Sequence, residues 1–237
     1  MCYHVSDHED DAIAVLKHSD RVRYVELHVT RPQWWKVVAS MQGPFPALTR
    51  LQLSGCADAL LLPIGFLGGS APCLQQIVLH GIPFPKLPSL LLSARDLVSL
   101  QIDFIPRTGY IPPKVMVASL ALLTRLEDLS IGFFRPQMYL PNLRITYPET
   151  PRRAILPALT RFLFAGRSEY LDNLVAEVDA PRLYNVRVEV IRLDFRPVPQ
   201  LFLFISHTEN LKFRRVHVDF SCHEVLLKTP DLSISTG

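Results

Sequence analysis

An α/β solenoid with one parallel strand per repeat is the fold class that this 237-residue sequence predicts, on two observations. The first is internal duplication. Pro46-Ala47-Leu48-Thr49-Arg50-Leu51-Gln52-Leu53 returns as Pro157-Ala158-Leu159-Thr160-Arg161-Phe162-Leu163-Phe164, and Ala71-Pro72-Cys73-Leu74 returns as Ala180-Pro181-Arg182-Leu183. The second is that the apolar core of those segments, apolar-x-x-apolar-x-apolar, recurs along the whole chain. A template with a period of about 20–50 residues marks stacked units, each of which buries its apolar face only against its neighbours.

Eight copies can be placed: Val22/Val25/Leu27, Leu48/Leu51/Leu53, Leu74/Ile77/Leu79, Leu97/Leu100/Ile102, Leu126/Leu129/Ile131, Leu159/Phe162/Phe164, Leu183/Val186/Val188 and Phe213/Val216/Val218. Their first positions step by 26, 26, 23, 29, 33, 24 and 30 residues. Several steps fall in or just beyond the range of about 20–29 residues of leucine-rich repeats, which open L-x-x-L-x-L. The last two apolar positions, two residues apart, share one face of a short strand, and the first enters the core where the chain turns into it. Pro46, Pro72, Pro157 and Pro181 precede that first position by two and are expected at strand starts, where no ladder bond needs their missing donor. The expected fold is an irregular leucine-rich-repeat-like horseshoe, one domain over residues 1–237.

The connectors complete it. Asp10 to His18 opens with acidic residues that suit a helix N-terminus and ends in Lys17-His18, so a helix is expected there as a cap. A second helix is expected over Gln33–Met41, after Pro32 and before Gly43-Pro44, and a third over Val115–Leu123, after Pro112-Pro113. Gly65 to Ser70 reads as a tight turn. Spaced prolines over residues 134–155 predict a protruding loop, a neutral insertion or a partner-binding element. The position eight residues after each template start holds Asn or Cys in regular repeats. Here it holds Thr30, Cys56, Ile82, Ile105, Phe134, Arg167, Ile191 and Ser221, so uneven connectors are expected.

Composition narrows the functions. Hydrophobic residues make up 49% and charged residues 20%, with mean hydropathy +0.19, which suits a chain with a core to bury. A net charge of +3 is far below what phosphate binding calls for, and Lys212-Phe213-Arg214-Arg215 and Arg152-Arg153 are short basic runs, so no nucleic acid is expected. No apolar run reaches the 18 or so residues of a membrane span, and no secretory leader is recognisable, which places the protein in cytosol or nucleus. Cys2, Cys56, Cys73 and Cys222 are scattered. Neither Cys2 with His4 and His8 nor Cys222-His223 has structural-zinc spacing, so neither metal nor cofactor is expected. The nucleophile-elbow, H-E-x-x-H, P-loop and dinucleotide-binding motifs are all missing, and no spacing converges a Ser, a His and an Asp, so no enzyme is expected.

Beyond the template, the chain resembles the F-box and leucine-rich-repeat-like proteins expanded in mushroom-forming fungi. The resemblance is carried by Asp10-Asp11-Ala12-Ile13, Leu16-Lys17-His18-Ser19-Asp20-Arg21-Val22 and Phe66-Leu67-Gly68-Gly69-Ser70-Ala71-Pro72-Cys73-Leu74. It continues through Gly81-Ile82-Pro83-Phe84-Pro85, Leu90-Leu91-Leu92-Ser93-Ala94-Arg95-Asp96-Leu97, Gly109-Tyr110-Ile111, Leu123-Thr124-Arg125-Leu126-Glu127, Ser168-Glu169-Tyr170-Leu171 and Asp179-Ala180-Pro181. It implies a substrate-receptor subunit of a cullin-type ubiquitin ligase, with an F-box that docks on the ligase adaptor and repeats that hold the target. No Leu-Pro-x-Glu-like F-box pattern precedes the repeats, so the chain is expected to be a fragment or shortened member, and the adaptor is a partner only if an F-box exists upstream.

The expected function is therefore a non-catalytic protein–protein interaction module, the substrate-binding repeat arm of such a receptor. The alternative is a free-standing repeat scaffold or truncated gene product unconnected with ubiquitin ligation. If the strands line a concave face, the residues alternating with the buried ones form the partner surface. In order these are Tyr24, Glu26 and His28; Arg50, Gln52 and Ser54; Gln76, Val78 and His80; Ser99, Gln101 and Asp103. The row continues with Asp128 and Ser130; Arg161 and Leu163; Asn185, Arg187 and Glu189; and Arg215, His217 and Asp219. Its mixed charge suits a protein or peptide target bound by a monomer.

Overall fold

The computed structural model describes residues 9–29, 31–55, 61–133, 153–191, 198–208, 217–220 and 224–228. Its strands are β1 (Tyr24–Val29), β2 (Arg50–Gly55), β3 (Gln76–His80), β4 (Ser99–Ile105), β5 (Asp128–Phe133), β6 (Ala154–Ile155), β7 (Arg161–Gly166), β8 (Val178–Asp179), β9 (Asn185–Ile191), β10 (His217–Phe220) and β11 (Glu224–Lys228). Nine of them form one sheet in the order β1-β2-β3-β4-β5-β7-β9-β11-β10, and β6 pairs with β8 in a second, two-stranded sheet. The first seven strands of the large sheet are parallel, and each pairs with the strand of the next template. Leu51 lies opposite Ile77, Ile77 opposite Leu100, Leu100 opposite Leu129, Leu129 opposite Phe162 and Phe162 opposite Val186. These side chains, and Leu48, Leu74, Leu97, Leu126, Leu159 and Leu183 ahead of them, are buried in one continuous apolar cluster. The sequence template is therefore the inward face of the sheet, as the period of two requires.

The prolines do a different job from the one expected. Each lies four residues ahead of its strand, at the second position of a β-turn. The Leu48 amide donates to the Phe45 carbonyl at 3.2 Å across Pro46, and the Leu74 amide to Ala71 at 3.2 Å across Pro72. Leu159 to Leu156 and Leu183 to Ala180 repeat the bond at 3.2 and 3.1 Å across Pro157 and Pro181. Proline presets the φ that this turn position needs. Leu97 to Ala94 and Leu126 to Leu123 close the same turn without proline, both at 3.1 Å.

Past the turn, one carbonyl per repeat accepts two amides from the next. Arg23 takes Thr49 and Arg50, Thr49 takes Gln75 and Gln76, Gln75 takes Val98 and Ser99, and Val98 takes Glu127 and Asp128. Glu127 then takes Thr160 and Arg161, and Thr160 takes Tyr184 and Asn185, all at 2.8–3.1 Å. The hydroxyls of Thr49 and Thr160 add a third bond, to Arg23 at 2.9 Å and Glu127 at 3.1 Å.

The eighth template departs from expectation. Phe213 and Val216 lie outside the described residues, and Val218 falls on β10, which is not a neighbour of β9. β11 lies between them and runs antiparallel to both. Only three residues separate β10 from β11, and a parallel neighbour needs a crossover of about a dozen. The sheet therefore ends in a hairpin, not in an eighth parallel strand.

The helices are α1 (Glu9–Leu16), α2 (Arg31–Ser40), α3 (Leu87–Leu91), α4 (Pro113–Leu120), α5 (Ser168–Val175) and α6 (Pro199–His207). The expected helices correspond to α1, α2 and α4, with α2 and α4 taking in the proline expected just ahead of them. α1 packs on α2, and α3, α4, α5 and α6 pack in succession. Gly65–Ser70 is a tight turn, with Leu67, Gly68 and Gly69 all at positive φ. Residues 134–152 of the expected loop lie outside the described residues. Its end is not loop: Ala154–Ile155 forms β6, where the Ala154 amide donates to Glu177 at 2.7 Å and the Leu156 amide to Asp179 at 2.8 Å. Two of the eight-residue offsets, Ile82 and Ile105, are buried, so apolar side chains fill the space where regular repeats bond the turn with Asn. There the Gly81 amide reaches the Asp103 carbonyl of the next repeat, at 2.9 Å. Among the described residues no helix is long and apolar enough to cross a membrane.

An aromatic cluster packs beneath β5 and β7. Tyr170 lies 4.7 Å from Phe133, 5.9 Å from Phe164 and 6.0 Å from Tyr110 between ring centroids, and its hydroxyl donates to the Ile111 carbonyl at 3.0 Å. Burial, and then the Tyr110 hydroxyl nearby, push the Tyr170 phenol far above its usual range. An unfolded chain ionises this group near pH 10 while the fold keeps it neutral, so its contribution holds below that pH and is lost as pH rises above it. Thermal melts above pH 10 should fall more steeply for the parent chain than for Tyr170→Phe. At neutral pH that variant should lose about 1 kcal/mol, from the orphaned Ile111 carbonyl. Gly81 has φ 69°, and a Cβ there would come 2.3 Å from the Gly55 carbonyl oxygen. Gly81→Ala should cost about 2–4 kcal/mol in urea unfolding.

Candidate functional site

With one side chain of each strand pair turned inward, the alternating residues form three cross-strand rows on the opposite face. Tyr24, Arg50, Gln76, Ser99, Asp128, Arg161 and Asn185 stand opposite one another where the strands begin. Glu26, Gln52, Val78, Gln101, Ser130, Leu163 and Arg187 make the middle row. His28, Ser54, His80 and Asp103 begin the third, which continues at the same level through Gly132, Ala165 and Glu189. Nineteen of the twenty-two residues of the predicted row thus share one face, half-buried or exposed. The other three do not extend it. Arg215 lies outside the described residues, and His217 and Asp219 lie on β10, which β11 separates from β9.

The rows carry local pairs. Arg161 holds Asp128 through two hydrogen bonds, Nη2 to Oδ2 at 2.6 Å and Nε to Oδ1, and that carboxylate raises the guanidinium pKa further. Ser130 donates to Asp103 Oδ1 at 3.0 Å. Tyr24 donates to Glu26 Oε2 at 2.5 Å. Leu163 and Tyr184 expose 37% and 55% of their surface beside Arg161 and Arg187, which gives the face some of the apolar area that partner surfaces use.

Contrary to the spacing argument, the fold does bring a hydroxyl, an imidazole and a carboxylate together. The Ser54 hydroxyl bonds His28 Nδ1, and His28 Nε2 lies 3.7 Å from Glu26 Oε1. That last distance exceeds a hydrogen bond. β2 lies between β1 and β3, so its amides are directed sideways into two ladders and not toward an oxyanion at Ser54. The Ser54–His28 bond is therefore a polar pairing across β1 and β2.

Alternation missed one residue. β4 shifts register between Ile102 and Ile105, so Phe104, which a regular strand would turn inward, is 50% exposed with φ 56°. Its ring lies 4.5 Å from His80, tilted by 52°. A left-handed conformation at a bulky residue costs about 1–3 kcal/mol and marks a bulge that re-aims a side chain. The only trace in the sequence is the adjacent apolar pair Phe104-Ile105, since a period of two turns just one of them inward.

Cys2, His4, His8, Cys222 and His223 lie outside the described residues. Among the described residues no three His, Cys, Asp or Glu side chains are grouped to hold a metal. A groove of about 360 Å³ runs along β1 beside α1, lined by Val15, Leu16, Val22 and Leu27 with Arg21 and Arg23.

A double-mutant cycle on Asp128→Ala and Arg161→Ala should return a coupling of about 1 kcal/mol, the upper end for a partly exposed pair, because the contact is bidentate. High salt should reduce it. No protein-family model, no curated protein and no solved structure matches this chain.

Proposed function

We propose that the chain is a non-catalytic protein–protein interaction module, an irregular leucine-rich-repeat-like solenoid that curves as a horseshoe and holds a protein or peptide partner against the outer face of its parallel sheet. The observation that carries this reading is the alignment of seven parallel strands in one register. It spreads a continuous field of mixed-charge side chains, with Leu163, Tyr184 and Phe104 exposed among them. Such a surface is polar with a few apolar anchors, the make-up of interfaces that form and dissociate. In keeping with the family the sequence resembles, the module serves as the substrate-binding repeat arm of a ubiquitin-ligase receptor, whose adaptor contact depends on an F-box upstream.

Photo-crosslinking amino acids placed at Gln52, Gln101 or Arg187 on the outer face, and at Arg95 or Lys114 on the connectors, test the reading in cells. The expected result is crosslinked protein from the first set and none from the second, with ligase adaptor and cullin recovered only when upstream F-box sequence is present. Crosslinks from the connector set alone would overturn the surface. Outer-face crosslinks without ligase subunits from either form would leave a free-standing scaffold.

A further inference from the structure

The third row of the outer face is unlike the other two. At the level of Asp103, the next two strands carry only Gly132 and Ala165, and β9 carries Glu189, beyond which the level passes to Leu226 of β11. A Cβ built on Gly132 would come 3.1 Å from Asp103 Oδ1, so the missing side chain is what lets that carboxylate lean over β5. The result is a shallow channel between the Asp103 and Glu189 carboxylates, with Gly132 buried beneath Asp103 and the half-buried Ala165 as its floor. The Phe104 ring stands beside the Asp103 end, presented by the bulge and backed by His80. Neither Asp103 nor Glu189 has a cationic side chain in contact among the described residues. Arg50 and Arg161 lie at the other end of the strands, in the first row, and Arg187 stands one row from Glu189 without an ion pair to it among the described residues.

We propose that this channel binds an extended basic segment of the partner, with one cation over the Phe104 ring and against Asp103 and a second against Glu189. The proposal deepens the interaction-module reading and rests on it. Charge complementarity selects the occupant: two uncompensated carboxylates on one level need cations, and an exposed aromatic face attracts a guanidinium or ammonium group. Geometry sets the spacing. Three strand intervals of about 4.8 Å separate Asp103 from Glu189, about 14 Å in all, and an extended peptide advances about 3.3 Å per residue. The two cations are therefore four residues apart, which also returns both to the same side of the peptide. The small Ala165 lets the intervening backbone approach the sheet closely.

A random dodecapeptide library displayed on phage, selected against the full chain, supplies the probe. The expected result is enrichment of peptides with Arg or Lys at two positions four apart, whose affinity drops at least tenfold on Phe104→Gly, Asp103→Asn and Glu189→Gln. Phe104→Gly doubles as the folding control. Glycine suits φ 56°, so its melting temperature should hold or rise while binding is lost. Enriched peptides without that spacing, or peptides that bind these three variants like the parent, overturn the basic-segment proposal. If such peptides lose affinity on Arg50→Glu or Arg187→Glu instead, the outer face still binds and only its occupant was misassigned. If no outer-face substitution changes binding, or nothing is enriched, the interaction surface itself is wrong.

Discussion

Everything in this fold depends on a single shared acceptor. One carbonyl per repeat, ahead of its strand, receives two amides from the next repeat, and that bond sets the level at which the next strand starts. Once the level is set, a period of two decides which side chains enter the core, because a slip of one residue would put Leu51, Ile77 and Leu100 in water. The proline turns act just upstream of that point. By closing over Pro46, Pro72, Pro157 and Pro181 they deliver the first leucine of each template to the core and the following amides to the waiting carbonyl. Turn, acceptor and apolar pair form one device, which accounts for their duplication together while the connectors vary.

The same register builds the outer face without selecting its residues. Inward positions are constrained by packing; outward ones are constrained only by their neighbours across the ladder. Three of the pairs there, Arg161 with Asp128, Ser130 with Asp103 and Ser54 with His28, join successive strands, because strands about 4.8 Å apart place such groups within reach. The bulge at Phe104 is the exception to this economy. It breaks the pairing of β4 with β5, holds a phenylalanine at positive φ and exposes half of a ring that the core could have used. Burial in the core does not account for that choice, since half of the ring stays exposed.

How much was legible follows from which forces are local. The parallel strands and their buried leucines were readable because they obey a period of two fixed by backbone geometry. The outer rows followed from the same alternation, which puts nineteen of their residues on one face. Three things were not readable. The role of the prolines depends on a hydrogen bond three residues long that composition cannot distinguish from a strand start. α5 carries its apolar residues at Tyr170, Leu171, Leu174 and Val175, a helical spacing present in the sequence, but α3 has only five residues around Pro88 and offers no period at all. Ser54 and His28 are 26 residues apart in the chain. Only the register, not the spacing, tells that they touch.

The final strands show where the repeat logic stops. Phe213, Val216 and Val218 satisfy the apolar template, but the residues before Phe213, Asn210, Leu211 and Lys212, lack the apolar-proline step that precedes four of the earlier copies. Val218 lies on β10, and the three-residue link from there to β11 goes with antiparallel pairing. The inserted β11 meets β9 antiparallel across Ile191 to Arg187, so the last parallel strand does not end the sheet. A parallel edge left open would invite another chain to continue it. Reversing direction replaces the repeating acceptor of the parallel strands with an antiparallel ladder, in which the paired residues alternate between hydrogen-bonded and non-bonded positions instead of sharing one carbonyl per repeat.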